Sequence, residues 1–158
     1  MEDLILLHLG CADRYIKGFI NSDKSTEWKG GKYKLDCIMD ITKPWNFPDN
    51  SVDGIISMHV LQQLTWRELL VTLREARRVL STGCVMRIGV PMIENGKTLD
   101  YLLGWNNINL FSYELLEEVL EQIGFRKIKK CKYQESAVEA FKQVDNRPDQ
   151  TIFMEVTK

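Results

Sequence analysis

Four groups of small or acidic residues follow short apolar runs: Gly10-Cys11-Ala12-Asp13, Asp23, Asp40-Ile41 and Ser57-Met58-His59. A carboxylate offers two acceptor oxygens and no donor. The set therefore suits a ligand that carries hydroxyls, an amino group and a purine, and suits a phosphate poorly. A nicotinamide-type dinucleotide site needs a phosphate-cradling glycine loop that opens a helix. Residues 10–18 have neither the glycine spacing nor the length for one.

These groups meet only if the runs before them are neighbouring strands. Residues 4–9, 19–20, 35–39, 54–58 and 85–90 are such runs, the first ending at Gly10, the second near Asp23, the third at Asp40, the fourth before His59 and the fifth at Pro91. Short, nearly continuous apolar segments are typical of strands buried on both faces of a parallel sheet. Over residues 66–80, Leu69, Leu70, Leu73, Ala76 and Leu80 recur at helical spacing. Thr65 with Glu68 predicts a capping box, and Ser81-Thr82-Gly83 a stop. A second amphipathic helix starts at Ser112 and ends at Gly124, and residues 128–133 and 152–156 read as two closing strands. Strands alternating with helices imply a single α/β domain over residues 1–158. Ligands of open α/β sheets bind outside the carboxyl ends of the strands, where the four groups stand.

The chain has 158 residues and a net charge of −1, which argues against bulk electrostatic binding to nucleic acid or to a membrane. Cys11, Cys37, Cys84 and Cys131 are widely spaced, with no pairing typical of a zinc site. No leader-like or long apolar segment is present, so the expectation is a cytoplasmic protein with reduced thiols.

The order LHLGCAD, GFINSD, LDCIMDITKPWNFPDNSVDGIISMHVLQQL and LREARRVLSTGCVMRIGVP resembles the class I S-adenosylmethionine-dependent methyltransferases. It is most similar to a compact, type 11-like subset found with polysaccharide biosynthesis, as is the closing VDNRPDQTIFMEVTK. The resemblance implies a Rossmann-like domain: a mostly parallel seven-stranded sheet with an antiparallel closing strand and a reduced helix after strand 1. It implies S-adenosylmethionine as cofactor and methyl transfer to a small-molecule or saccharide acceptor. It also implies residue roles: Gly10, Cys11 and Ala12 beside the methionine part, Asp23 on the ribose hydroxyls, Asp40 on the adenine amino group and Ile41 on the ring. Ser57, Met58 and His59 would floor the pocket beside the sulfonium. Where the family shows a glycine this chain has Ala12, and where it often shows Glu-His it has Gln62-Gln63. His8 replaces a common acid. These departures leave an alternative open, a catalytically weak or inactive binding or scaffold protein.

Other residues have plainer readings. His8 is expected as a satisfied core histidine, Cys11 as a packing residue and Asp53 as structural. His59 is the weak catalytic candidate; it needs to reach a substrate proton to act as a base. Arg74, Glu75, Arg77 and Arg78 read as a solvated helix face, and residues 126–132 as an exposed strand protected by charge. Residues 92–111, with Tyr101, Trp105 and Phe111, and residues 134–150 are expected to wall the acceptor pocket. Asp145 and Arg147 are expected to pair. A second copy of the chain is a candidate cover for the pocket.

Overall fold

The computed structural model describes residues 4–92 and 107–158; Tyr101 and Trp105 fall outside them. Nine strands are described: β1 (Leu6–Leu9), β2 (Ile20–Asp23), β3 (Glu27–Trp28), β4 (Gly31–Lys32), β5 (Cys37–Ile38), β6 (Val52–Met58), β7 (Leu80–Pro91), β8 (Arg126–Cys131) and β9 (Thr151–Thr157). Two α-helices accompany them, α1 (Trp66–Val79) and α2 (Tyr113–Ile123). Seven strands form one sheet in the order β5-β2-β1-β6-β7-β9-β8. Only β9 runs against its neighbours; β1, β2, β5, β6 and β7 are parallel. Register Leu9↔Ser22, Leu9↔Ser57, Asp23↔Ile38 and Met58↔Gly89 brings the carboxyl ends to one edge.

One face of the sheet is covered by helices. Leu69, Leu73 and Ala76 of α1 and Leu116 and Leu120 of α2 bury the stripe that the sequence spacing predicts, against Leu7, Leu9, Ile55 and Ile88. The Thr65–Glu68 capping box forms in both directions, and Ser112 caps α2 through the Leu115 N–H. Gly124 ends α2 in the left-handed region at φ 104°. The predicted stop at 81–83 comes too late. Leu80 is already extended and paired with Val52, because burying it in the sheet outweighs one more helical turn. Residues 81–84 then bulge, since β7 advances five residues while β6 advances two.

No regular helix covers the other face among the described residues. Residues 10–19 return from β1 to β2 as turns, as the short connection predicts. The β3–β4 hairpin follows β2 and was not foreseen, because it has no apolar alternation. Its signal is Lys29-Gly30, whose φ of 48° and 79° suit a two-residue hairpin turn. Residues 134–150 lie across this face rather than only lining a pocket. Phe141 and Val144 pack with Leu6, Phe19, Ile56 and Phe153. Burying a side chain such as Phe141 stabilises by roughly 1.5–3 kcal/mol. The packing requires Gly54, because a Cβ there would lie 2.8 Å from the Phe141 ring.

Arg87 of β7 fastens this cover. Its side chain is fully buried. Nε donates to Asp145 Oδ1 at 2.7 Å, and Nη2 to Asp145 Oδ2 and the Lys132 carbonyl. Nη1 donates to the Glu155 carboxylate (2.9 Å) and the Glu135 carbonyl (2.8 Å). Thus the guanidinium's five N–H groups all find acceptors. Burial alone would lower its pKa, but Asp145 and Glu155 outweigh this and hold it above the ordinary value. The expected Asp145–Arg147 pair is therefore replaced by Asp145–Arg87. Arg78 also departs from the solvated reading. It binds Glu75, Asp49 and the Trp45 and Phe47 carbonyls, tying α1 to the loop after β5.

Removing one member of a buried ion pair strands the others without a partner. Arg87→Ala should therefore cost about 3–5 kcal/mol in urea unfolding. A loss below about 1 kcal/mol would show that residues 134–150 do not depend on this contact.

Candidate functional site

The carboxyl edge brings together the residues read from the sequence. Gly10 ends β1 at φ 60°, and a Cβ on it would lie 2.5 Å from the Val60 side chain. Only a glycine fits this close approach of the β1 turn to the β6 turn. Cys11 N–H donates to the Ser22 carbonyl at 3.0 Å, holding the turn on β2. Cys11 is buried, its thiol pushed up to about 11 chiefly by burial and then by Asp23. That thiol packs and stays protonated rather than acting as a nucleophile.

Asp23 ends β2. One carboxylate oxygen accepts the Ala12 N–H at 3.0 Å and the other the Lys24 N–H at 2.7 Å. A carboxylate has about four acceptor sites, so Asp23 braces the turn and keeps capacity for a ligand's hydroxyls. Ala12 itself sits at φ 45°, a region that glycine enters at least cost. Next along the edge, Met39 N–H donates to the Asp23 carbonyl at 2.8 Å, placing Asp40 beside Asp23. Asp40 is exposed. Its Oδ1 accepts from both the amide and the hydroxyl of Thr42, which hold the carboxyl below its usual range. Ile41 is buried, its carbonyl held by Thr72 and the Trp45 indole. A hollow of about 250 Å³ opens beside Asp40 between Ile38, Pro44 and Phe47; Gly10, Asp23 and Ile41 do not line it.

On the other side of Gly10 stands the end of β6. Ser57 and Met58 are buried, and the Ser57 hydroxyl has no hydrogen-bond partner among the described residues. His59 is turned into the left-handed region at φ 58°. Its Nε2 lies 2.9 Å from Thr151 Oγ1, whose own hydrogen goes to the Arg147 carbonyl at 2.8 Å. The imidazole therefore donates from Nε2. Burial first, then Arg147 and Arg14, lower its pKa to about 3. A neutral ring tied to Thr151 is a wall and a brace, and a poor base near neutral pH. Of the Gln62–Gln63 pair, Gln63 donates to the His59 carbonyl at 3.3 Å, while the buried Gln62 side-chain amide has no partner among the described residues.

Sequence reasoning missed the polar knot behind this edge. Asn21 Oδ1 accepts from Ile16 N–H and from His8 Nδ1 (3.1 Å). Its amide nitrogen donates to the Ile16 and Phe19 carbonyls and to Asp36. Asp36 also accepts from the Tyr15 hydroxyl at 2.9 Å. The knot shapes the turns that stand in for a helix after β1. His8 is a buried, hydrogen-bonded core histidine as expected, held at about 4 by burial. A buried Asn two residues before an edge Asp was the only signal available for the knot.

Comparison with known proteins bears on the fold. Residues 17–88 match the family model of the methyltransferase domain. No curated protein matches the sequence. Among solved structures, a SAM-dependent methyltransferase from Archaeoglobus fulgidus is 17% identical, with 98% of this chain and 86% of that chain covered and a TM-score of 0.70. A SAM-dependent methyltransferase from Thermotoga maritima is 14% identical, covering 100% and 84%, with a TM-score of 0.66. Phosphoethanolamine N-methyltransferase 2 from Haemonchus contortus, solved with S-adenosyl-L-methionine, is 14% identical, covering 98% and 48%, with a TM-score of 0.62.

Two measurements check this geometry. His8 and His59 are neutral when folded, at about 4 and about 3 against an ordinary 6.5. Below pH 6.5 the unfolded chain takes up protons that the folded chain refuses. Stability is then complete above that pH and falls as pH drops toward the folded values. The slope approaches about 1.4 kcal/mol per pH unit for each histidine. Urea midpoints constant from about pH 7.5 to about pH 5 would show that the folded imidazoles are charged. Separately, Ala12→Gly relieves the left-handed backbone and should stabilise by up to about 1 kcal/mol; a loss of stability would contradict the assigned φ.

Proposed function

We propose that this chain, which has the class I methyltransferase fold and carries the methyltransferase domain over residues 17–88, transfers a methyl group from S-adenosylmethionine to a small-molecule or saccharide acceptor. The observation that carries the reading is the line Gly10–Asp23–Asp40 along one sheet edge, knit by the Cys11–Ser22, Ala12–Asp23 and Met39–Asp23 hydrogen bonds.

The residues present fit the cofactor. Gly10 turns the chain at the end of β1 at φ 60°, where Val60 fills the space that a side chain would take. Asp23 has acceptor sites left for two ribose hydroxyls, and Asp40 Oδ2 for an amino group. Ile41 supplies an apolar wall, while Ser57, Met58 and His59 close the floor. When bound, the cofactor supplies an electrophilic methyl on a sulfonium. The chain's own contribution is alignment and electrostatics. With His59 committed to Thr151, the described residues offer no strong base at this edge. That favours an acceptor atom that is already nucleophilic at neutral pH.

Calorimetric titration with S-adenosylhomocysteine tests the reading. Binding is expected in the micromolar range, and Asp23→Ala should weaken it by at least about tenfold. Asp23→Asn keeps an acceptor for the Ala12 N–H, so it separates ribose recognition from loop bracing. No binding to the folded wild-type chain would sink the cofactor assignment and favour the scaffold reading.

A further inference from the structure

The two edges of the large sheet are built differently. At one edge, β8 and the residue after it carry Arg126, Lys127, Lys129, Lys130 and Lys132. The register of β8 on β9 shifts around Lys127, which sits at φ 46°. Charge and a bulge of this kind resist pairing with another strand. At the other edge stands β5, paired with β2 alone. Asp36 N–H donates to the Asn21 carbonyl at 2.9 Å and Met39 N–H to the Asp23 carbonyl at 2.8 Å, holding residues 36–39 along β2. The two residues of β5, Cys37 and Ile38, bring no charge and no bulge to their outer side. Ile38 is 69% exposed, more than any other large apolar side chain among the described residues. The hollow of about 250 Å³ opens beside it, walled also by Cys37, Met39, Pro44 and Phe47. An apolar knob and a hollow therefore adjoin on one unpaired edge.

Charge is arranged evenly about the same strand. Lys34 stands three residues before Cys37 and Asp40 three residues after it, and both are exposed. Lys34 rests over the Tyr15 ring, 4.2 Å from its centroid, and both bonds from Thr42 fall on Asp40 Oδ1, leaving Oδ2 outward of them. We propose that β5 pairs antiparallel with β5 of a second copy of this chain, about a two-fold axis at Cys37. Such an interface is isologous, so the same patch must complement itself. The axis sets Lys34 of each copy opposite Asp40 of the other, and opposite charges facing across antiparallel strands stabilise the pair. It sets the two Ile38 side chains at diagonal positions, each at the mouth of the other copy's hollow. An axis one residue further on, at Ile38, would set Asp36 against Asp40, acid against acid, so charge selects the register. A carboxylate has about four acceptor sites, so Asp40 can serve this contact together with the amino group assigned to it. The inference stands apart from the methyltransferase reading.

Sedimentation equilibrium of the full chain under reducing conditions tests it. A reversible dimer is expected, with a dissociation constant of roughly 100 µM, as suits a small edge contact. Ile38→Lys changes an exposed side chain and should weaken the dimer at least about tenfold. Lys34→Glu and Asp40→Lys should each weaken it, and the two together should restore it, because the pairs re-form with reversed sign. Residues directly opposed on antiparallel strands lie within disulfide reach. Diamide, which takes up two hydrogens as two thiols become a disulfide, should therefore link the copies, and Cys37→Ser should abolish the link. A chain that stays monomeric up to about 1 mM overturns the proposal and leaves this edge to the strand of a different protein. A dimer that Ile38→Lys leaves intact overturns it too, as does a double charge variant no tighter than the single ones.

Discussion

A single buried guanidinium holds the layers of this protein together. Arg87 stands in the middle of the sheet, and every one of its N–H groups meets an acceptor contributed by Asp145, Glu155 or the carbonyls of Lys132 and Glu135. A charge in that position is tolerated only because none of its donors is orphaned. The consequence is structural. Residues 134–150 form no long helix, yet they serve as a layer, because their backbone is tied to β7 and Phe141 fills the space over Gly54. A parallel sheet needs both faces covered. Here helices cover one and a pinned irregular segment helps to cover the other.

The same economy shapes the edge formed by the carboxyl ends of the strands. The turn after β1 is too short for a crossover helix, so its backbone groups cannot all be satisfied within a helix. Asn21 and Asp36 accept and donate in its place, and Asp23 takes the Ala12 N–H. Asp23 thus braces the turn with both carboxylate oxygens, one on the Ala12 N–H and the other on the Lys24 N–H.

The edge keeps its buried ionisable group neutral. Asp40 is exposed, while His59 at the end of β6 is buried and uncharged. The positioning of β9 matters here, since Thr151 at its start connects His59 to the Arg147 backbone.

Much of this was legible in the residues. The apolar runs, the Thr65 and Ser112 caps and Gly124 set the helices and central strands, because local burial patterns and capping chemistry act over a few residues. Gly10, Asp23 and Asp40 were readable because each stands at or just beyond the end of a short apolar run, and in a parallel sheet those ends share one edge. The partners of Arg87, Asn21, Arg78 and His59 were not readable. Asp145 is 58 residues from Arg87 and Thr151 is 92 residues from His59, and nothing in the spacing selects one distant partner over another. The place of Arg147, only two residues from Asp145, was likewise assigned by the fold, with its carbonyl held by Thr151. The sequence by itself determined which segments would be strands and helices and which acids would end them. The tertiary structure alone decided which charges were buried together, because that choice depends on desolvation and on distances that exist only after the chain has closed.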